Sequence, residues 1–89
     1  MSADDKLKEL GFELKEVIEN GGYAVYVNEE DDQRVEISFD GDRWIIYSET
    51  LSEQLDYYGH TYRSPIGMTY EECEAFLNKI DELKDMWVD

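Results

Sequence analysis

Apolar and polar positions alternate most clearly between Gln33 and Ser48, in the stretch QRVEISFDGDRWIIYS. Two runs rich in β-branched and aromatic residues flank the dipeptide Asp40-Gly41. Asp-Gly suits a two-residue type I′ turn, because both central positions of that turn need a positive φ. The pattern therefore predicts a β-hairpin with its loop at this dipeptide.

The position of the turn decides which side chains share a face of this hairpin. With Asp40 and Gly41 as the loop, Ile37 lies opposite Trp44. One face is then apolar and consists of Val35, Ile37, Phe39, Trp44 and Ile46. The other face is mixed and carries Arg34, Glu36, Ser38, Arg43, Ile45 and Tyr47. The apolar face has to be covered by another element.

An earlier hairpin is predicted by the same reasoning. The chain alternates from Phe12 to Ile18, turns at Asn20-Gly21 and continues from Tyr23 to Val27. In this arrangement Ile18 faces Tyr23, and one face collects Phe12, Leu14, Ile18, Tyr23, Val25 and Val27. Glu16 is the single polar residue among them, which places its strand near a sheet edge. The two hairpins together predict a four-stranded meander with one apolar face.

Helices are predicted at both ends of the chain. Asp4 to Leu10 forms a short one, with Ser2 or Asp4 as its cap and Gly11 as its stop. The sequence Thr69-Tyr-Glu-Glu72 is a capping box that starts a second helix running to about Trp87. An apolar stripe along it, suited to cover the sheet, comprises Tyr70, Cys73, Phe76, Leu77, Ile80, Leu83 and Trp87.

The segment between the sheet and the last helix is predicted in two successive parts. Leu51 and Leu55 are four residues apart, which favours a helical turn capped by Thr50 or Ser52. The stretch from Tyr57 to Met68 contains no acidic residue, and a β-finger or an ordered loop is expected there. The whole chain is thus predicted to be one α+β domain, residues 1–89. It would be a four-stranded antiparallel meander covered on one face by a C-terminal helix, with a short N-terminal helix.

Charge is the most unusual property of the composition. Twenty-three acidic residues against eight basic ones give a net charge of −15. Direct binding to DNA or RNA is not expected, because few Lys and Arg residues are present to neutralise phosphates. An acidic surface can serve solubility alone, or it can bind a protein partner with a basic surface. No apolar run is long enough to span a membrane, and the charged N-terminus and the single cysteine predict a cytoplasmic protein.

Signatures of chemistry are weak. Asp40 and Asp42 do not match a calcium-binding loop, and one cysteine with one histidine cannot complete a zinc site. Cys73 falls on the apolar stripe of the last helix, and nothing in the pattern brings His60 to it as a base. We therefore expect no enzyme activity, no metal and no cofactor.

Interaction with a partner protein is better supported, with two candidate surfaces. Carboxylates spaced along a strand or a helix approach the spacing of phosphates along a nucleic-acid strand. The acidic candidates are Glu29, Glu30, Asp31, Asp32, Asp40, Asp42, Glu71, Glu74, Asp81, Glu82 and Asp85. The acid-free aromatic segment supplies Tyr57, Tyr58, Tyr62 and Arg63, since Tyr and Arg are enriched in interfaces. The alternatives are a solvated acidic surface and, for the aromatic segment, packing of Tyr57, Tyr62 and Ile66 over the core.

Several segments together resemble a layout found in small phage and prophage proteins of Gram-positive bacteria. They are Leu7-Lys-Glu-Leu-Gly-Phe-Glu-Leu14, Ile37-Ser-Phe39, Met68-Thr-Tyr-Glu-Glu72 and Ile80-Asp-Glu-Leu83 with Trp87. Segment 57–67 has no counterpart in that layout. The resemblance implies a setting of host takeover or host defence. Small acidic proteins act there as inhibitors, including anti-CRISPR and anti-restriction proteins that imitate DNA electrostatically. It transfers no catalytic or binding residue.

Two functional hypotheses follow. In the first, the protein binds a partner stoichiometrically as a DNA mimic and inhibits a nucleic-acid-binding defence enzyme, such as a CRISPR nuclease, in the host cytosol. In the second, it is a structural or assembly accessory of a phage or prophage that acts as a homo-oligomer, for which a homodimer is the simplest form.

Overall fold

The computed structural model describes residues 2–18 and 22–86, and it confirms an α+β fold. In chain order the elements are α1 (Ala3–Glu9), β1 (Glu13–Ile18), β2 (Tyr23–Asn28), β3 (Gln33–Phe39), β4 (Trp44–Thr50), β5 (Gln54–Leu55), β6 (Thr61–Tyr62) and α2 (Tyr70–Met86). The first four strands form an antiparallel sheet in the order β1-β2-β3-β4, as expected of a meander. Strands β5 and β6 form a second sheet of two strands.

The short helix α1, Ala3–Glu9, begins and ends one residue earlier than the predicted Asp4 to Leu10, and of the two predicted caps it uses Ser2. The Ser2 hydroxyl accepts a hydrogen bond from the amide of Asp5, whose carboxylate accepts one from the Ser2 amide, so the two residues form a capping box. After the helix Gly11 adopts φ +98°, and a side chain there would meet Asn28. The amide of Phe12 donates back to the carbonyl of Leu7 at 2.9 Å, which closes the helix end.

The long helix α2 starts at the predicted capping box. The amide of Glu72 donates to the Thr69 hydroxyl at 3.1 Å, and the Thr69 amide donates to the Glu72 carboxylate at 2.9 Å. The helix buries Ala75, Phe76, Ile80 and Leu83 against the sheet and α1, together with Glu72 and Lys79.

The predicted apolar stripe of α2 was too wide. Tyr70 is 81% exposed and Leu77 is 54% exposed. They lie seven residues apart on the flank of the helix, because its buried face is centred on Phe76 and Leu83 instead. Cys73 is half-buried. Trp87, predicted to end the stripe, lies outside the described residues.

Aromatic rings join α2 to the sheet. The Phe76 ring meets the rings of Phe12 and Tyr26 edge-on, at centroid distances of 5.1 and 5.5 Å. The predicted apolar face of the β3–β4 hairpin is confirmed, since Val35 and Ile37 are fully buried there. Trp44 and Ile46 on β4 pack against the same core from its rim.

The pairing of β3 with β4 differs from the predicted one by two residues. Phe39 pairs with Trp44 and Ile37 with Ile46. The turn is centred on Gly41 and Asp42, which places glycine where a type II′ turn requires it. The predicted apolar and mixed faces of this hairpin are nevertheless correct, because side chains alternate with a period of two and a shift of two residues leaves each on the same face.

The first hairpin is confirmed only near its turn. Ile18 pairs with Tyr23 as predicted, whereas a β-bulge before Glu16 brings Leu14 opposite Tyr26 instead of Val27. The predicted turn at Asn20-Gly21 lies outside the described residues.

The predicted inner face of β2 was wrong. Ala24 and Tyr26 point to the core because they lie opposite Ile37 and Val35 on β3. Tyr23, Val25 and Val27 therefore lie on the opposite face of the sheet, where Val25 and Val27 are still buried. A tyrosine can occupy the core position because its hydroxyl donates a hydrogen bond to Asp4.

Candidate functional site

Residues 51–63, which we call the finger, leave the sheet as a separate β-hairpin. The helical turn predicted from Leu51 and Leu55 is wrong, because Leu55 pairs with Thr61 in a strand. For Tyr57 to Met68, where a β-finger or an ordered loop was expected, the part up to Arg63 belongs to a β-finger that begins earlier in the chain than predicted. The chain leaves and rejoins β4 at one point, where the Thr50 amide donates to the Ser64 carbonyl at 2.8 Å. The finger thus projects from the edge of the sheet.

The base of the finger is held by the turn between β2 and β3. The Asp32 carboxylate accepts from the amide and the hydroxyl of Ser52, at 2.8 and 2.7 Å. Arg63 lies across the base, where its Nε donates to the Leu51 carbonyl at 3.2 Å and its Nη2 lies 3.3 Å from Glu53. Arg63, a predicted partner-binding residue, is therefore already engaged within the finger.

The tip of the finger is ordered by one aspartate. The Asp56 carboxylate accepts from the amides of Tyr58 and His60, each at 2.8 Å. The Asp56 amide donates to the His60 carbonyl at 2.9 Å, and Gly59 adopts φ +82°. The Gly59 amide also donates to the Asp56 carbonyl at 3.1 Å, which defines a tight turn with Tyr57 and Tyr58 at its two central positions.

The finger exposes its large side chains instead of packing them. Tyr57 is 95% exposed, Tyr58 is 80% exposed and Leu55 is 70% exposed. The rings of Tyr57 and Tyr58 meet edge-on at 5.3 Å, so each supports the other. Tyr62 is exposed as well. The alternative prediction, in which Tyr57, Tyr62 and Ile66 pack over the core, does not hold for the two tyrosines, whereas Ile66 is half-buried.

The acidic candidates of the β2–β3 turn divide into two kinds. Asp31 accepts from the Asn28 side chain at 3.1 Å, and Asp32 holds the finger. The side chains of Glu29 and Glu30 are exposed, with no ion pair within the described part of the chain. This turn therefore contributes two carboxylates that are free for a partner.

The acids of the β3–β4 turn lie at the other end of the sheet, about 20 Å away along β3. The Asp40 carboxylate accepts from the amides of Arg43 and Asp42, at 2.9 and 3.0 Å. These backbone donors lower the pKa of Asp40 below its usual range. Asp42 is exposed. The two acidic turns accordingly do not form one patch.

The outer face of α2 carries the longest exposed acidic row. Glu74, Asp81 and Asp85 share the side opposite the buried residues, with Glu71 at its margin. Their positions along the helix axis are separated by about 10 and 6 Å at 1.5 Å per residue. Glu82 points elsewhere, because its carboxylate accepts from the Ala3 amide at 2.6 Å.

One ionic cluster that the sequence reasoning missed lies on the sheet face opposite the core. Arg34 reaches Glu36 at 3.1 Å and Glu49 at 2.9 Å. Burial opposes the charge of the guanidinium, but the Glu36 carboxylate and further partners outweigh it and raise the pKa of Arg34. The correct strand pairing would have revealed this cluster, since Arg34 lies directly opposite Glu49.

A second missed cluster joins the two helices to the sheet. Asp4 accepts from the Tyr26 hydroxyl and lies 3.2 Å from the Lys79 ammonium. Burial and the Asp4 carboxylate raise the pKa of Tyr26 well above its usual value. An open cleft of about 510 Å³ beside this cluster is lined by Asp4, Lys8, Gly11, Phe12, Glu13, Leu14 and Tyr26. Because Asp4 already binds Tyr26 and Lys79, we assign the cluster a structural role.

Two surveys of the described residues were negative. In ranges 2–18 and 22–86, no group of three or more His, Cys, Asp or Glu side chains is arranged to hold a metal ion. Within the same ranges, no helix combines the length and the apolar character needed to cross a membrane.

Comparisons of the chain with protein-family models, with curated proteins and with solved structures found no match. Its function must therefore be argued from its own surfaces, of which the exposed finger and the acidic row of α2 are the most developed.

Proposed function

We propose that this protein binds a basic, nucleic-acid-binding protein stoichiometrically and blocks its nucleic-acid channel by imitating DNA. The proposed partner is a CRISPR nuclease or another enzyme of host defence, in the setting suggested by the resemblance to phage proteins. The observation that carries the proposal is the exposed acidic row of Glu74, Asp81 and Asp85 on a chain of net charge −15.

Charge favours this partner class for a physical reason. A cationic channel attracts an anionic protein over distances of about 10 Å at moderate salt, which speeds encounter and selects against anionic partners. A rigid helix presents its carboxylates at fixed spacing, so less conformational entropy is lost on binding than with a disordered acidic tail.

The test is an inhibition assay with a guide-loaded CRISPR nuclease and a restriction endonuclease, each with labelled DNA. We expect loss of DNA binding near one equivalent of the protein, and weaker inhibition as salt rises. Inhibition that ignores salt would refute the mimic mechanism, and absence of any effect on either enzyme would count against this partner class.

Matched variants separate the acidic row from overall charge. In the first, Glu74→Gln, Asp81→Asn and Asp85→Asn remove three charges from the outer face of α2. In the control, Glu9→Gln, Glu13→Gln and Glu16→Gln remove three exposed charges around α1 and β1. The proposal expects the first variant to lose inhibition and the control to keep most of it. Equal losses would show that net charge alone acts.

The accessory hypothesis retains one specific observation in its favour. All six residues of the outermost strand β1 are exposed, among them Leu14, Val17 and Ile18, so a second chain has an edge on which to pair. The bulge in β1 and the negative charge of both copies oppose such pairing. Light scattering at high concentration tests it, and a strictly monomeric protein would refute it.

A further inference from the structure

The tip of the finger lacks a role in the fold. Tyr57, Tyr58 and Leu55 are exposed, and none of them belongs to the core. An isolated two-stranded hairpin is only marginally stable in water. The finger is nevertheless held at its base by Asp32 and at its tip by Asp56. An ordered element that exposes aromatic rings fits an interaction surface better than a solubilising loop.

The chemistry of the tip suits a planar cation. The Tyr57 and Tyr58 rings meet edge-on at 5.3 Å, and the His60 ring lies 6.4 Å from that of Tyr58. In the same turn Asp56 accepts the two amide hydrogen bonds through Oδ1, while its Oδ2 lies 3.5 Å from the His60 Nδ1 and its side chain is 39% exposed. Aromatic faces beside a carboxylate offer both stacking and charge-assisted hydrogen bonds, which a guanidinium can use together.

Charge selects among the possible occupants of this surface. A second copy of the chain, a nucleic acid and an anionic membrane are all repelled by a protein of net charge −15. The only cationic side chain of the finger is Arg63, and it is occupied by Leu51 and Glu53. An electropositive protein surface is attracted.

We infer that the finger tip, residues 56–60, is a contact element for arginine side chains of the basic partner, with Tyr57 and Tyr58 as stacking surfaces. The inference rests on the proposed function for the class of partner. It adds that binding uses a second site, at the sheet edge, that recognises arginine by stacking as well as by charge. The ring faces of the tyrosines are required, and their hydroxyl groups are not.

A ten-residue oligoarginine peptide and a matching oligolysine peptide are the probes. Amide chemical shifts of the ¹⁵N-labelled protein are followed during titration with each. We expect oligoarginine to shift the amides of Tyr57, Tyr58 and His60 and to bind more tightly than oligolysine. Shifts confined to α2, with the tip unmoved, would overturn the inference.

Three variants test whether the rings of Tyr57 and Tyr58 bind the oligoarginine peptide. Replacing both Tyr57 and Tyr58 by Ala should weaken oligoarginine binding roughly fivefold or more, by the usual size of two exposed cation–π contacts. Replacing both by Phe should restore the affinity. Tyr70→Ala is the matched control, because Tyr70 is equally exposed on α2, and it should change the affinity by less than about twofold. Equal affinity of the double Ala variant and the wild type would refute the inference.

The two proposals fail in different ways. If the nucleases are not inhibited while oligoarginine binding still requires both rings, the proposed function falls and the arginine site stands. If the nucleases are inhibited and oligoarginine ignores the tip, the inference falls and the acidic row of α2 remains as the inhibitory surface.

Discussion

The turn between β3 and β4 and the tip of the finger reverse the chain with similar chemistry. In each, an aspartate, Asp40 or Asp56, accepts hydrogen bonds from two backbone amides that follow it, at 2.8 to 3.0 Å. In each, a glycine takes a positive φ, +95° at Gly41 and +82° at Gly59. Judged by the turns alone, the two hairpins would be equivalent.

The two hairpins differ in the burial of the side chains that flank their turns. Below Asp40, the side chains of Val35 and Ile37 are fully buried under α2, whereas Leu55 beside Asp56 is mostly exposed. A turn motif therefore decides where a chain reverses, and the burial of its flanks decides whether the reversal contributes to global stability. The core hairpin should unfold with the whole protein, and the finger should be able to open by itself.

The strongest challenge to this comparison is the removal of an apolar side chain from each hairpin. Ile37→Ala should lower the free energy of unfolding by about 2–5 kcal/mol, because it leaves a cavity in a fully packed site. Leu55→Ala should change it by less than about 0.5 kcal/mol. Urea denaturation followed by circular dichroism measures both, and similar losses would show that the finger is part of the cooperative unit.

Glycine replacement tests the turns themselves. Gly41→Ala places a side chain at a positive φ and should cost about 1–2 kcal/mol of global stability. Gly59→Ala imposes the same local strain, but its effect should appear as faster amide exchange in the finger with little change in the urea midpoint. Gly67→Ala, which meets open space without a positive φ, is the control. A global loss from Gly59→Ala would contradict local opening.

The free energy of unfolding should also fall at alkaline pH, because one buried tyrosine is neutral in the folded protein. The pKa of Tyr26 is raised in the folded state, so folding favours its neutral form. The contribution of Tyr26 to the free energy of unfolding is complete below the unfolded pKa of about 10. It is lost as the pH rises above that value, at a rate of at most about 1.4 kcal/mol per pH unit. Tyr26→Phe should flatten the decline between pH 9 and 12 in urea titrations, although it lowers stability at pH 7. Tyr70→Phe should retain the wild-type slope, and an unchanged slope in Tyr26→Phe would contradict the assignment.

The smallest expected effect concerns the turn between β3 and β4 at low pH. The pKa of Asp40 is lowered, so its contribution is present above the unfolded pKa near 4 and disappears as the pH falls through the folded value. Asn at position 40 can still accept the two amide hydrogen bonds without a charge. Thermal melts at pH 7 and pH 3 should therefore differ slightly less for Asp40→Asn than for the wild type. A difference equal to that of the wild type would show that the charge at this turn has no role in stability.

Local signals predicted the backbone elements well. The Ser2 and Thr69 caps, the Gly11 stop and the apolar face around Ile37 are all encoded within a few residues of each element. Face assignment within the second hairpin also survived a wrong turn, because a shift of two residues leaves alternation unchanged.

Structural features that depend on residues distant in the sequence could not be predicted from the local sequence pattern. The inner face of β2 is decided by its pairing with β3 and by the Asp4 partner of Tyr26, and neither leaves a mark near β2 in the sequence. The bulge before Glu16 has no turn residue to announce it. Likewise, two acids of the same turn differ in role, since the Asp32 carboxylate holds the base of the finger and the Glu29 side chain is exposed to solvent.

The adjacency of Thr50 and Ser64 makes the finger an interchangeable module. The two residues are bonded to each other by the Thr50 amide and by the Ser64 amide, which donates to the Thr50 hydroxyl at 3.1 Å. The ends of any insert are thus already held together, so little additional loop-closure entropy is required. Hairpins of other sequences could be grafted between these two positions, and the acidic body would then carry a binding tip of chosen specificity.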